Sequence, residues 1–226
     1  MEPDSKKPVE WHYETLPNET KKALDFLSKQ NWLTNSDWYL AGGTALSLRV
    51  GNRKSYDLDF FTQQKSFNTN NLLAKFINNE DWQTETDEEN TVYGILMGAK
   101  ISFIAYPFFV PKEKPSYHGS IKVIAPLDIA VMKILAISQR GKKRDFFDLY
   151  WCVHHLDTLE NIIGRLPGQY PSVAHDFQHI NKSLVYFVDA ETDPNPEIYF
   201  DASWGKVKRF FEKEVPLITK KLLGLN

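Results

Sequence analysis

Between Leu40 and Thr62 the chain reads LAGGTALSLRVGNRKSYDLDFFT, and few folds accommodate that run. Asp37 to Ala41 predicts a short apolar strand, which Gly42-Gly43 breaks. Thr44 to Val50 predicts a short helix ended by Gly51-Asn52, and Ser55 to Phe61 a second strand. Strand side chains alternate between faces. Asp57 and Asp59 therefore share one face, while Leu58 and Phe60 can enter a core on the other. Two converging carboxylates are costly unless something positive sits between them. Mg²⁺ suits that place, with Mn²⁺ as a substitute, because it takes oxygen ligands and shares its shell with substrate phosphates. The Gly42-Gly43 turn opens onto a helix N-terminus, whose free N–H groups and positive dipole end suit a phosphate. Metal on Asp57 and Asp59, beside phosphates cradled by Gly42, Gly43 and Thr44, would make a nucleoside triphosphate (NTP) site.

An acidic-x-acidic pair alone carries little. With 29 acidic residues in 226, about four such pairs arise by chance. Glu85/Asp87 and Glu212/Glu214 are examples, expected on solvated faces. On the residues alone the segment reads equally as a tight turn followed by a surface-facing strand. The weight lies in the combination of strand, glycines, short helix and an alternating pair on an apolar strand.

The rest of the chain predicts an α+β protein. Helices are expected at Asn18 to Gln30 and Asn70 to Asn79, a hairpin at Thr91 to Met97 and Lys100 to Tyr106, and a strand at Ile121 to Ile124. After Pro126 the character becomes helical, with Leu127 to Ser138 and Arg144 to His155 leading. The predicted organisation is a mixed half, residues 1–124, with a small mixed sheet. It packs against a helical half, residues 125–226, that completes a cleft. A net charge of −2 gives no whole-protein field to attract nucleic acid or an anionic membrane. The one cysteine, Cys152, excludes an intramolecular disulfide and a cysteine-based zinc site. The N-terminus has no apolar signal core, and Tyr93 to Val110 is too interrupted to span a bilayer, so a cytoplasmic protein without membrane contact is expected.

A second block draws notice on composition alone. Asp145 and Asp148 are three apart and share a helix face, with Lys133 on the preceding helix. Arg140, Lys142, Lys143 and Arg144 cluster locally and could neutralise a triphosphate or a nucleic-acid backbone, or form a solvated turn.

The order Gly-Gly-Thr, Asp57 thirteen positions after Thr44, then Asp-hydrophobic-Asp resembles the first motif of the nucleotidyltransferase superfamily. More closely, the Leu40–Thr62 segment is similar to the AbiEii/AbiGii toxin family of nucleotidyltransferase-like proteins. APLDIAVMKILAISQRGKKRDFFDLYW, Ala125 to Trp151, resembles that family's later motifs, and FVDAETDPNPEIYFDASWGKVKRFF its tail. The resemblance covers about Asp37 to Phe211 and implies a nucleotidyltransferase-type fold. It also implies transfer of a nucleoside monophosphate from an NTP to an acceptor hydroxyl, RNA with tRNA favoured. The chain would be the toxin half of a toxin–antitoxin or phage-defence pair, with a cognate antitoxin, or a free-standing member of the family without one. Lys133 would contact nucleotide phosphates, and Asp145 or Asp148 would act as base or ligand. Arg53 and Ser55 match the family pattern, Arg53 as a phosphate contact or equally as an exposed loop arginine, and with Arg144 they complete the expected nucleotide-binding set.

One position departs from the superfamily. A third carboxylate is common on a later strand, and Ser102 stands where it is expected. Asp145 or Asp148 then supplies it, or the site runs with fewer ligands, or the chain binds nucleotide without turnover. A catalytically weak nucleotide- or partner-binding module is thus the alternative to the enzyme, and a plain RNA-binding protein a third reading. Among lesser candidates, His154 and His155 are expected in core or surface roles. His175 and His179 have a metal-like i, i+4 spacing but lack the accompanying glutamate of zinc proteases. Asp189, Glu191 and Asp193 are expected at a solvated helix end, and Trp204, Phe210 and Phe211 in the core.

Overall fold

The structure, a computed structural model, describes residues 9–77 and 79–222. The reading of the first eight residues, and Asn78 within the helix expected at Asn70 to Asn79, lie outside them. In chain order the elements are α1 (Asn18–Leu27), β1 (Tyr39–Ala41), α2 (Gly42–Val50), β2 (Leu58–Thr62), α3 (Thr69–Leu73), β3 (Trp82–Glu88), β4 (Thr91–Leu96), β5 (Ala99–Ala105), β6 (Ser116–His118) and β7 (Ile121–Val123). Helices follow: α4 (Pro126–Arg140), α5 (Lys143–His155), α6 (Leu159–Gly164), α7 (Leu166–Gln169), α8 (Phe177–Ser183), α9 (Val188–Glu191) and α10 (Trp204–Leu222). Among the described residues every strand precedes residue 124.

The strands form one mixed seven-stranded sheet in the order β3-β4-β5-β2-β1-β7-β6. β1 runs antiparallel to β2 and parallel to β7, and β2 runs parallel to β5. The alternation in β2 appears as expected. Leu58 and Phe60 are fully buried, while Asp59 and Phe61 are half-buried on the opposite face. On the core face Phe60 stacks on Phe103 of β5 with ring centroids 5.0 Å apart. On the other side α2 packs on β1 and β2, and α4, facing β2 across a cavity, packs against α2, α5, α6 and α8 and is buried nearly all round. A single apolar cluster runs from the sheet through the helices.

Several elements differ from expectation. β3 and β6 were not foreseen. WQTETDE is a polar sequence whose pairing is supplied by β4 alone, at the sheet edge. The helix expected from Asn70 shrinks to α3, a five-residue turn that starts one residue earlier, at Thr69, with the Asn68 side chain accepting from the Asn71 N–H. Strands β1 and β2 are shorter at their starts, and α2 begins at Gly42 itself. No helix among the described residues is long and apolar enough to cross a membrane.

Candidate functional site

β1 delivers Gly42 to the N-terminus of α2 directly beside Asp59, since Ala41 and Asp59 are register partners. Gly42 has φ +73°, and a Cβ there would lie 2.7 Å from Asp59 Oδ2. The absent side chain therefore permits the turn and keeps the space before the carboxylate clear. Gly43 has a different reason to be glycine: a Cβ would overlap Nη2 of Arg53, whose guanidinium lies against the turn. Arg53 is 3 % exposed and cannot swing aside. Gly43→Ala is accordingly expected to cost about 1–3 kcal/mol through overpacking, read as a lowered thermal unfolding midpoint.

Asp57, Asp59, Gly42, Gly43, Thr44, Arg53, Ser55, Lys133 and Arg144 all line one cavity of about 340 Å³. The turn and the aspartates face each other across it. Asp59 Oδ1 accepts a hydrogen bond from Ser102 Oγ at 2.8 Å, so Ser102 stands beside the pair as a hydroxyl donor. Burial, more than the neighbouring charge of Asp57, pushes the Asp59 carboxyl above its ordinary range, against the Ser102 hydrogen bond. Asp57 is half-exposed, with Arg144 Nη1 3.8 Å from its Oδ2. Thr44 is buried and donates its hydroxyl to Ser55 Oγ at 2.9 Å, which leaves its backbone N–H as the group to offer a phosphate.

Asp145 and Asp148 do not line the cavity. Both are fully buried and saturated. Asp148 accepts from Arg53 Nε (2.8 Å) and Nη2 (2.9 Å) and from Asn52 Nδ2 (2.8 Å), and lies 2.7 Å from Lys133 Nζ. Asp145 accepts from Lys133 Nζ (2.6 Å) and from Arg140 Nε (2.9 Å) and Nη2 (3.2 Å). Burial alone would raise both carboxyls. Arg53 and Lys133 around Asp148, and Lys133 and Arg140 around Asp145, outweigh it and hold them well below the usual range. This geometry corrects the expectation of a base or third metal ligand there: all four oxygens are engaged by Arg53, Lys133, Arg140 and Asn52, and neither carboxylate lines the cavity. Three cations, Arg53, Lys133 and Arg140, surround these two carboxylates, so the cluster carries one surplus positive charge toward the cavity.

The remaining sequence candidates resolve separately. Lys142 and Lys143 turn away, toward Asp193. Its carboxylate accepts from the Lys143 N–H (3.0 Å) at the start of α5 and from Lys142 Nζ (3.2 Å). Asp193 is thus a cap rather than part of a solvated helix end. His175 and His179 donate to different carbonyls, Tyr170 O and Ser138 O, and do not converge. His154 and His155 fold back onto carbonyls four residues earlier. Phe211 is core, with Trp204 and Phe210 packed against it. The chain after α9 also supports the site: Lys54 N donates to Glu197 O (2.8 Å) and Tyr199 N to Asn52 O (2.9 Å), pinning the loop that carries Arg53.

Cavity residues not anticipated from sequence include Phe61, Tyr93, Ile104, Tyr106, Ile129, Met132, Gln139 and Tyr170. Phe61 was within reach, two positions beyond Asp59 on the same face. Tyr106 and Tyr170 had no local signal.

The donor set fits a hard divalent cation: two carboxylates, oxygen only, with clear space before Asp59. Among the described residues no third Asp, Glu, His or Cys gathers with them. Mg²⁺ tolerates that, because it retains waters and takes oxygens from substrate phosphate.

Residues 26–220 match the model of a family described as nucleotidyl transferase AbiEii toxin, of type IV toxin–antitoxin systems. An uncharacterized protein of Aquifex aeolicus (strain VF5) is 37% identical over 191 residues, 80% of this chain and 87% of the relative. Two solved structures share the fold. MenT4, a nucleotidyltransferase toxin of Mycobacterium tuberculosis H37Rv, superposes with a TM-score of 0.56 at 14% identity, covering 88% of this chain and 82% of that one. A candidate nucleotidyltransferase of H. pylori superposes with a TM-score of 0.53 at 20% identity, covering 93% of this chain and 99% of that one.

Proposed function

From the premise that this chain belongs to the AbiEii family of nucleotidyl transferase toxins, we propose that it moves a nucleoside monophosphate from an NTP to an acceptor hydroxyl, with RNA, and tRNA first, as the acceptor class. The observation that carries the reading is the corner where Asp57 and Asp59 face the Gly42-Gly43 turn, with Lys133, Arg140 and Arg144 on the same cavity. The type IV toxin–antitoxin description of the family extends the proposal to a cognate antitoxin partner.

Each residue then has a role set by its position. The N–H groups that open α2 bind phosphate oxygens. Asp57 and Asp59 would hold Mg²⁺, or Mn²⁺ in its place. When bound, the ion neutralises phosphate charge and polarises the phosphoryl oxygen. Lys133, fixed by Asp145 and Asp148, and the exposed faces of Arg140 and Arg144 meet the charge that grows on the leaving pyrophosphate. The bond formed joins the acceptor oxygen to the α-phosphorus. The bond broken releases pyrophosphate, and the acceptor proton passes to water at the open mouth. Asp145 and Asp148 serve as positioning residues in this scheme.

The test is incubation with each labelled NTP, Mg²⁺ and total RNA. Label on RNA with the wild-type chain and none with Asp59→Asn supports the transferase. Ser102 in the third acid's place favours the weaker reading, a nucleotide-binding module. That reading is the outcome if NTPs raise the unfolding temperature but no label moves in any RNA pool. Salt-dependent RNA binding indifferent to both aspartates would instead mark a plain RNA-binding protein.

A further inference from the structure

Strand register ties four residues into one row through the site. Ala41, which precedes the glycine turn, pairs with Asp59 of β2. Asp59 pairs with Ser102 of β5, and Ser102 with Tyr93 of β4. Register partners on neighbouring strands project to the same face. Tyr93 therefore stands on the same side of the sheet as Asp59, two strands away, and both line the cavity. Two strand spacings put their backbones roughly 10 Å apart, and the side chain between them is the small Ser102, drawn onto Asp59. Tyr93 is 42 % exposed, and among the described residues its hydroxyl is not spent on a structural hydrogen bond. The other hydroxyls on the cavity are placed differently. Thr44 is buried and bonded to Ser55, itself buried. Tyr106 lies farther along, where its N–H donates to Thr62 O, with the buried Tyr170 packed against it.

We propose that Tyr93 is a self-modification site: without RNA, the chain transfers a nucleoside monophosphate from an NTP to its own Tyr93 hydroxyl. The inference rests on the reading of the corner as a transferase site, and adds a second acceptor, a phenol of this chain. In-line displacement puts the entering and leaving oxygens on opposite sides of the phosphorus. With the leaving phosphates on the Gly42-Gly43 turn, at the β1 end of the row, the entering oxygen comes from the β5–β4 end, where Tyr93 stands. The bond formed joins Tyr93 Oη to the α-phosphorus as a phosphodiester. The bond broken is the α–β anhydride, pyrophosphate leaves, and the phenol proton passes to water at the open mouth. A hydroxyl already fixed on the cavity wall needs no bimolecular encounter, so it reacts when no RNA end competes for the same approach.

The experiment incubates the full chain with each NTP and Mg²⁺, without RNA, and reads the intact mass and then the tryptic peptide from Phe76 to Lys100, whose single tyrosine is Tyr93. The wild type should gain one nucleoside monophosphate from at least one NTP, and fragmentation should place it on Tyr93. Asp59→Asn should gain none. Tyr93→Phe, which keeps the ring, should gain at least about tenfold less. The labelled fraction at a fixed time should not change with protein concentration, because acceptor and site share one chain. Label that survives Asp59→Asn, persists in Tyr93→Phe, maps to another residue or rises with protein concentration overturns the proposal. So does an unlabelled chain in a preparation that labels RNA, which leaves the transferase reading standing. A preparation that labels neither itself nor RNA overturns the transferase reading, and this inference with it.

Discussion

Asp59→Asn is expected to lower label transfer by at least about a hundredfold while leaving the unfolding temperature unchanged or raising it. In the proposed site Asp59 holds the metal, and losing such a carboxylate would remove several kcal/mol of charge stabilisation from the transition state, each 1.36 kcal/mol being about tenfold in rate. The fold should tolerate the change because asparagine keeps the shape and still accepts from Ser102 Oγ. It also removes a charge held at a partly buried place beside Asp57, where burial and like charge both oppose ionisation. A residue kept for function at some expense in stability behaves in this way. Unfolding measured with and without Mg²⁺ separates the two effects. The ion should stabilise the wild type according to its occupancy, and the variant much less. A variant that transfers label normally, or a wild type whose unfolding ignores Mg²⁺, would remove the aspartate pair from the chemistry.

The part of the site legible in the sequence was the part built from contiguous residues. Alternation along Leu58 to Phe61 separated the core side chains Leu58 and Phe60 from Asp59 and Phe61 because the period of a strand is local. The glycine turn and the helix after it were legible for the same reason, although the purpose of Gly43, making room for Arg53, was not. Asp145 and Asp148 show where local reasoning ends. Their i, i+3 spacing does place them together, but whether that face meets water or a buried cation depends on Arg53 and Lys133, 95 and 12 positions away from the carboxylates they bind. β3 stayed hidden because an edge strand with exposed faces needs no apolar alternation; its pairing is decided by β4. Tyr106 and Tyr170 meet only through folding, and nothing near either residue marks it for a cavity wall.

Asp148→Ala is expected to destabilise the chain more than the other single changes considered at this site, by about 3–5 kcal/mol. The loss comes from what the substitution strands. Arg53 and Lys133 are 3 % and 4 % exposed, and Asn52 is equally buried, so none of their freed donors reaches water. In a chain of this size such a loss lowers the unfolding midpoint by roughly 10 °C. Asp145→Ala should cost less, because one of its two cations, Arg140, is half-exposed and can be hydrated. Asp148→Ala should also weaken transfer, since Lys133 loses one of the two carboxylates that aim it. The same pairing sets the acid limit of the fold. Both carboxyls titrate lower folded than unfolded, so their contribution is fully present above the unfolded value of about 4. It declines as pH falls below that value toward the depressed folded ones. Denaturant midpoints measured from pH 6 down to pH 2 should therefore fall for the wild type and fall less for Asp148→Ala, which has already lost that carboxylate. Equal slopes in the two proteins would show that the buried cluster does not control acid stability.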